Sequence, residues 1–426
     1  MADVAGRRTT MGLLVAATVI VAADKSVFAF AGVRIMDDLH LTPAAFGLLG
    51  SAFFLLYSAS GVAFGFLANR WPARWLLLSL ALIWAGCQAG VASSSSLAVL
   101  AVLRVLLGVG AGPSTALVQH ACFKWYAPRE RVLPAASMNI GLMVGILLSA
   151  GLLPWLIAHH GWRLAYLVLA GLSLAWAVAW VAFGREGRGV VADDATDEAT
   201  SAAGPARYRD VLLDRSFVAT TALSFAGYLI SGLGFSWNPV WMQKGLGFTA
   251  QQVGPLVMAI MLGVILALLG VSALSQRWLR RGASTRNALV RLPVGCCLLG
   301  GVALLAIALP GLAPGVRLAL AGLAMVLTNI QQSFGVTVCG DLCRPAQRGA
   351  VLAIHLAFST SAGIVAPLLA GTLVTAAGGD IAVGFERTLV LIGALTVLLC
   401  VACLAWVDPA ATRARRAAAE AALAAA

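Results

Sequence analysis

The apolar residues of this 426-residue chain fall in unbroken runs. Each is roughly 18–25 residues long, the length at which one helix crosses the hydrocarbon core of a bilayer. A soluble chain of this size would divide into two or three cores and carry about 25% charged residues. Here 61% of the residues are hydrophobic and 11% are charged. A β-barrel would instead show alternating segments of about 10 residues. The pattern therefore specifies a helical protein that crosses a membrane many times.

The runs predict spans near residues 11–33, 44–67, 75–93, 97–118, 135–157 and 164–184 in the first half. In the second half they fall near 216–238, 253–275, 289–310, 317–338, 350–376 and 387–407. Between the halves the composition changes: Asp193, Asp194, Asp197 and Glu198 cluster among Ala, Thr, Ser and Gly. Such a stretch cannot bury a core and reads as a linker, with a short surface helix expected at its end, Arg207–Arg215. The expected organisation is an N-terminal six-helix bundle (1–184), a cytoplasmic linker (185–215), a C-terminal six-helix bundle (216–408) and a cytoplasmic tail (409–426).

A net charge of +12 would suit a nucleic-acid binder, but its placement does not. The basic residues gather in alternate loops, 22 on one side against 5 on the other, with Lys25 and Arg104 inside the membrane. The rich side is expected in the cytoplasm, and both termini fall there. Arg7 and Arg8 precede an apolar run as in a signal peptide, but the run continues past Asp24 without a cleavage site, so it reads as a retained first helix. The eight cysteines lie mostly within spans and imply neither a disulfide framework nor a metal site.

Asp24 and Lys25 stand out because they lie well inside the first span. An ionisable side chain at that depth costs at least ~2.5–3.5 kcal/mol on insertion scales and marks a candidate functional site. Arg104 is its counterpart in the fourth span. Asp24 lies roughly 13 Å from the outer end of its helix and Arg104 roughly 10 Å from the end of its own, at 1.5 Å per residue. The two are thus at nearly one level. Arg104 needs an anionic or carbonyl partner, and an ion pair with Asp24 is its structural alternative. Gly108 and Gly112 share one face of that helix and Gly141, Gly145 and Ser149 one face of the fifth, as in close small-residue packing.

The loop closing the second span reads Gly65-Phe-Leu-Ala-Asn69-Arg70-Trp-Pro-Ala-Arg74. It resembles the helix 2–3 motif of the major facilitator superfamily, with Asn69 in place of the usual Asp and Pro72 in place of the usual Gly. A degraded copy follows the eighth span, with Gln276 and Arg277 in corresponding places. By that resemblance Gly65, Asn69, Arg70, Arg74, Gln276 and Arg277 belong to a cytoplasmic gate. The alternative is plain positive-inside anchoring.

From Ala23 to about Arg163 the chain also resembles the anion:cation symporter branch of that superfamily. Asp24-Lys25 falls on its Asp-Arg pair, Ser51 to Tyr57 on its helix 2 pattern, and Gly161-Trp162-Arg163 on a loop pattern. The resemblance implies that Lys25, Tyr57 and Arg104 bind a substrate carboxylate and that Asp24 couples proton movement. Two departures stand out: Ala111 replaces a Glu, and Met143 replaces a Gln. They favour a smaller or more apolar anion over a sugar acid. Phe28, Met143, Trp237, Asn238, Asn329, Gln332 and His355 are candidate cavity lining, although polar groups in spans also serve simply to hold helices together.

The expected fold is an all-α membrane protein, about twelve transmembrane helices in two pseudosymmetric six-helix bundles, the major facilitator fold. The expected function is proton-coupled uptake of a small organic anion, a monocarboxylate or an aromatic or hydroxy acid, through an inner membrane. The expected partners are that anion, protons and membrane lipid, with no nucleic acid and no cofactor, in a monomer. An anion exchanger or a facilitator of the same fold is the alternative, and a drug/proton antiporter is less favoured. A membrane-embedded enzyme would need a nucleophile, an acid–base pair or a metal cluster, and the residues for one do not assemble in the sequence.

Overall fold

The computed structural model describes residues 2–68, 70–126, 130–187, 208–343, 347–409 and 411–412. Among them no strand occurs, and twelve helices are long and apolar enough to cross a membrane. These are α1 (Gly6–Asp38), α2 (Pro43–Leu67), α3 (Ala73–Ser93), α4 (Leu97–Phe123), α5 (Leu133–His160) and α6 (Trp162–Phe183). They continue as α7 (Arg215–Gly234), α8 (Ala250–Arg280), α9 (Asn287–Ala306), α10 (Pro314–Asp341), α11 (Arg348–Ala376) and α12 (Ile381–Trp406). A short helix, Tyr208–Leu212, precedes α7.

Several helices outrun the apolar stretch that defines them. The α1 helix runs on through Arg34, Asp37 and Asp38, polar residues that extend it past the apolar stretch. Two spans are interrupted. In α2 the ladder breaks at Leu56, whose φ of −108° and ψ of 3° are not helical, so Tyr57 opens a second segment. In α4 the break falls at Gly112–Pro113, because proline has no N–H to donate. Thr42 caps α2 by accepting from Ala45 N at 3.2 Å, with Pro43 in the first turn.

The chain forms two compact units. The first comprises Met1–Asp194, Leu233–Met258 and Ile364–Gly384. Its interior is set by close backbone approaches. A side chain at Gly108 would collide with the Phe53 carbonyl oxygen, and one at Gly112 with that of Tyr57, so α4 lies directly on α2. Gly145 likewise faces Val19 and Ala22, which brings α5 onto α1. Tryptophans join α6 to its neighbours: Trp180 Nε1 donates to Arg74 O at 2.9 Å and Trp176 Nε1 to Leu13 O at 2.7 Å. Glu186, just past α6, accepts from Ala73 N at 3.1 Å and pairs with Lys124.

The added segments of this unit pack against α1 and α2. Ser51 Oγ donates to Ile364 O at 2.6 Å, Trp237 Nε1 donates to Pro367 O at 3.1 Å, and Lys244 pairs with Asp37 at 2.5 Å.

The second unit comprises Ala195–Gly232, Ala259–Gly363 and Phe385–Ala426. One buried cluster includes Leu223, Val294, Cys297, Val338, Cys339, Val351, Cys400 and Cys403. In the same unit Arg286 pairs with Asp408 at 3.6 Å and Arg317 with Glu386 at 2.5 Å.

Candidate functional site

The first unit brings Asp24, Lys25, Phe28, Tyr57 and Arg104 together around α1. Residues 24 and 28 lie four apart and so share one face of that helix, with Lys25 next to Asp24. Asp24 is 1% exposed and Arg104 is 3% exposed, so both have left water. An isolated buried charge costs several kcal/mol, and each therefore needs a partner.

The two do not pair with each other. Arg104 donates from Nε to Leu49 O at 3.2 Å. Its guanidinium lies 4.0 Å from the centroid of the Phe28 ring and 5.0 Å from that of Phe53. Faces of aromatic rings stabilise a desolvated cation by about 2 kcal/mol or more. This accounts for a charge held with a single hydrogen bond. The Arg104 Nη1 atom is buried and has no hydrogen-bond partner. A small pocket beside Arg104 is lined by Phe28, Leu49, Val91, Leu100, Trp162 and Tyr166.

Lys25 donates from Nζ to the Tyr57 hydroxyl at 2.7 Å. An ammonium carries three donors, so Lys25 keeps capacity for an incoming acceptor. Tyr57 is placed by the break in α2 and by the close α2–α4 contact at Gly112. Asp24 accepts from Gln88 Nε2 on α3 at 2.7 Å through Oδ1.

Beyond Arg104 an aromatic stack continues. Phe28 lies on Phe46 with ring centroids 4.8 Å apart, and Phe46 meets Trp237 edge-on at 5.0 Å. Phe28 and Trp237 are thus both buried in this stack, and Asn238 opens the short helix Asn238–Val240 that follows. Met143 is half-buried on α5.

The remaining cavity candidates lie in the second unit. Asn329 Nδ2 donates to Met325 O in its own helix at 2.8 Å, and Gln332 Nε2 donates to Ser224 O at 2.7 Å. His355 is fully buried, with Nδ1 at 2.9 Å from Thr221 Oγ1. Of the gate residues, Gly65 and Arg70 are exposed, and Arg74 donates to Val181 O at 2.7 Å. Gln276 and Arg277 are exposed on α8. Asn69 lies outside the described residues.

Three participants escape a reading of the sequence. Gln88 is a neutral amide, so it gives no charge signal. The cue was an amide in the largely apolar run of α3. Tyr166 is fully buried with an unpartnered hydroxyl. Glu186 lies in a linker whose composition carries no fold signal.

A family model described as Major Facilitator Superfamily matches residues 14–334. The chain is 23% identical over 395 residues to a hexuronate transporter of Bacillus subtilis (strain 168), covering 91% of each. It is 25% identical to a galacturonate transporter of Dickeya chrysanthemi, covering 57% of this chain and 74% of that one. It is 25% identical to a probable sulfoacetate transporter of Cupriavidus necator, covering 66% and 68%. Among solved structures, a bacterial homolog of the human lysosomal transporter Spinster superposes with a TM-score of 0.76 at 16% identity, covering 96% of this chain and 97% of that one. A D-xylose-proton symporter superposes with a TM-score of 0.73 at 16% identity, covering 94% and 98%.

Proposed function

The chain belongs to the Major Facilitator Superfamily, and we propose that it moves a small organic anion across the membrane together with protons. The observation that carries this reading is the pair of cations held by neutral groups. Lys25 rests on a phenol, and Arg104 rests on a carbonyl and two rings. Among the described residues neither is paired with an acid, so each retains its attraction for an arriving carboxylate. Arg104 Nη1 and the spare donors of Lys25 would bind its oxygens, with Tyr57 orienting Lys25. The relatives named as transporters of hexuronate, galacturonate and sulfoacetate support an anionic substrate. Met143 and Ala111, apolar where the symporter branch often carries Gln and Glu, favour a monocarboxylate or an aromatic or hydroxy acid over a sugar acid.

Asp24 is the coupling acid in this reading. An anion arriving beside Arg104 adds negative charge near Asp24 and makes proton uptake there more favourable, so substrate and proton load together. The halves 1–184 and 216–408 act as two six-helix bundles joined by the 185–215 linker, with substrate reached from alternate sides. The basic loops, both termini and the tail after 408 face the cytoplasm of an inner membrane. Gly65, Asn69, Arg70, Arg74, Gln276 and Arg277 serve the cytoplasmic gate. With Asn69 and Gln276 neutral, the gate relies on hydrogen bonds or on other partners. The protein works as a monomer.

Exchange of one anion for another is the second reading, favoured by a single acid well inside the spans. Purified protein in liposomes separates the two. Symport predicts that an inward proton gradient drives accumulation of the anion in the absence of internal anion. Uptake that requires internal anion and ignores the gradient establishes exchange.

A further inference from the structure

We propose that Gln88 is a positioning residue for the coupling proton, forming with protonated Asp24 a closed carboxylic acid–amide pair. This rests on the reading of Asp24 as the proton carrier. Gln88 is fully buried and its Nε2 donates to Asp24 Oδ1 at 2.7 Å. The second atom of each group, Asp24 Oδ2 and Gln88 Oε1, is buried without a hydrogen-bond partner. Both are acceptors, so an ionised Asp24 leaves two buried acceptors unsatisfied. A proton on Oδ2 converts that atom into a donor, and Gln88 Oε1 becomes its acceptor. One proton, taken from water, removes the negative charge and completes two parallel hydrogen bonds.

Turning the amide over changes nothing essential. In either orientation Gln88 offers one donor and one acceptor to a carboxyl with two oxygens. Only the protonated acid satisfies both. Met or Leu in the same place would fill the space and hold no proton. A serine would reach only one oxygen.

Among the described residues Gln88 is the one neutral polar group bonded to Asp24. On α1, Lys25 is turned to Tyr57 of α2. On α4, Arg104 is held by Leu49 O and Phe28. Tyr166 of α6 lies within electrostatic reach of both Arg104 and Asp24, and Cys87 of α3 within reach of Asp24. The α5 face against α1 presents Gly141 and Gly145, with no titratable group, and the Asn238–Val240 helix has none. Substrate at Arg104 would act on the pair through charge alone, and loss of the proton would open the ring at Oδ2 while Nε2 keeps its hold on Oδ1.

The test is infrared difference spectroscopy on the full-length protein in bilayers during a pH titration, without substrate. An acid C=O band that disappears in Asp24→Asn marks Asp24. The closed pair predicts that a glutamine amide C=O band changes with the same midpoint. In Gln88→Met and in Gln88→Leu the amide change vanishes and the acid band moves to higher frequency, having lost its donor. Should neither variant fold, the wild-type spectrum still decides through the paired acid and amide changes, both absent in Asp24→Asn. An acid band that titrates with no amide change, or keeps its frequency in the Gln88 variants, overturns the proposal alone. Absence of any titrating band lost in Asp24→Asn overturns the proton role of Asp24 and the proposal with it.

Discussion

Replacing Gly145 by alanine tests the packing on which the site depends. A Cβ there would lie 2.6 Å from Val19 O, 2.7 Å from Ala22 Cβ and 2.9 Å from Val19 Cα. Ordinary contact begins at 3.4 Å, so α1 and α5 must part by about 0.8 Å. The α1 helix has little room to retreat. Asp24 follows Ala22 by two residues, about 200° around the helix, and is held to Gln88 on the far side at 2.7 Å. Overpacking of this kind costs about 1–3 kcal/mol. Gly151→Ala, on the same helix, is the control, because its Cβ would meet only Met258 Sδ at 3.7 Å. Both variants gain the same helix propensity, so their difference isolates the packing cost. Unfolding in mixed micelles should place Gly145→Ala about 1–3 kcal/mol below Gly151→Ala, with weakened anion binding in Gly145→Ala alone. Equal stability of the two refutes the close contact of α1 and α5.

Phe46→Ala removes the ring between Phe28 and Trp237 and should cost about 3–5 kcal/mol. Faster amide exchange in Leu233–Met258 and Ile364–Ala376 is the expected readout, and unchanged exchange removes the stack from the packing of that unit. Tyr57→Phe keeps the ring but deletes the partner of Lys25. We expect affinity for the anion to fall about tenfold or more, the worth of a hydrogen bond to a charged group, and calorimetry with unchanged affinity would show Tyr57 to be a spacer. Asp24→Asn mimics the protonated acid, so it should bind and exchange anion yet fail to accumulate it on a proton gradient. Wild-type accumulation in liposomes would leave Asp24 a structural partner of Gln88.

The spans were legible because a bilayer demands long apolar runs, and twelve such helices occur among the described residues. The small-residue faces were legible too: Gly108 and Gly112 meet backbone carbonyls of α2, and Gly145 meets α1. The depth match of Asp24 and Arg104 placed them in one region, but the ion pair weighed for them does not form. Arg104 found a carbonyl and two aromatic faces instead, partners that carry no charge to mark them in a sequence. Gln88 was hidden for the same reason. Hydropathy also says little about helix rotation, because most faces of a membrane helix are apolar, so which side chain of α3 meets Asp24 could not be derived. The break at Leu56 that orients Tyr57 has no glycine or proline to announce it.

The most direct measurement is calorimetric binding to the purified protein of a panel of anions: an aromatic monocarboxylate, a short hydroxy acid, a hexuronate and sulfoacetate. The account predicts that at least one carboxylate binds the wild-type protein. It further predicts that Arg104→Ala, folded by its thermal transition, loses affinity by about 30-fold or more, the effect of deleting one partner of a buried charge pair. Binding of the same anion to Arg104→Ala with undiminished affinity would contradict it.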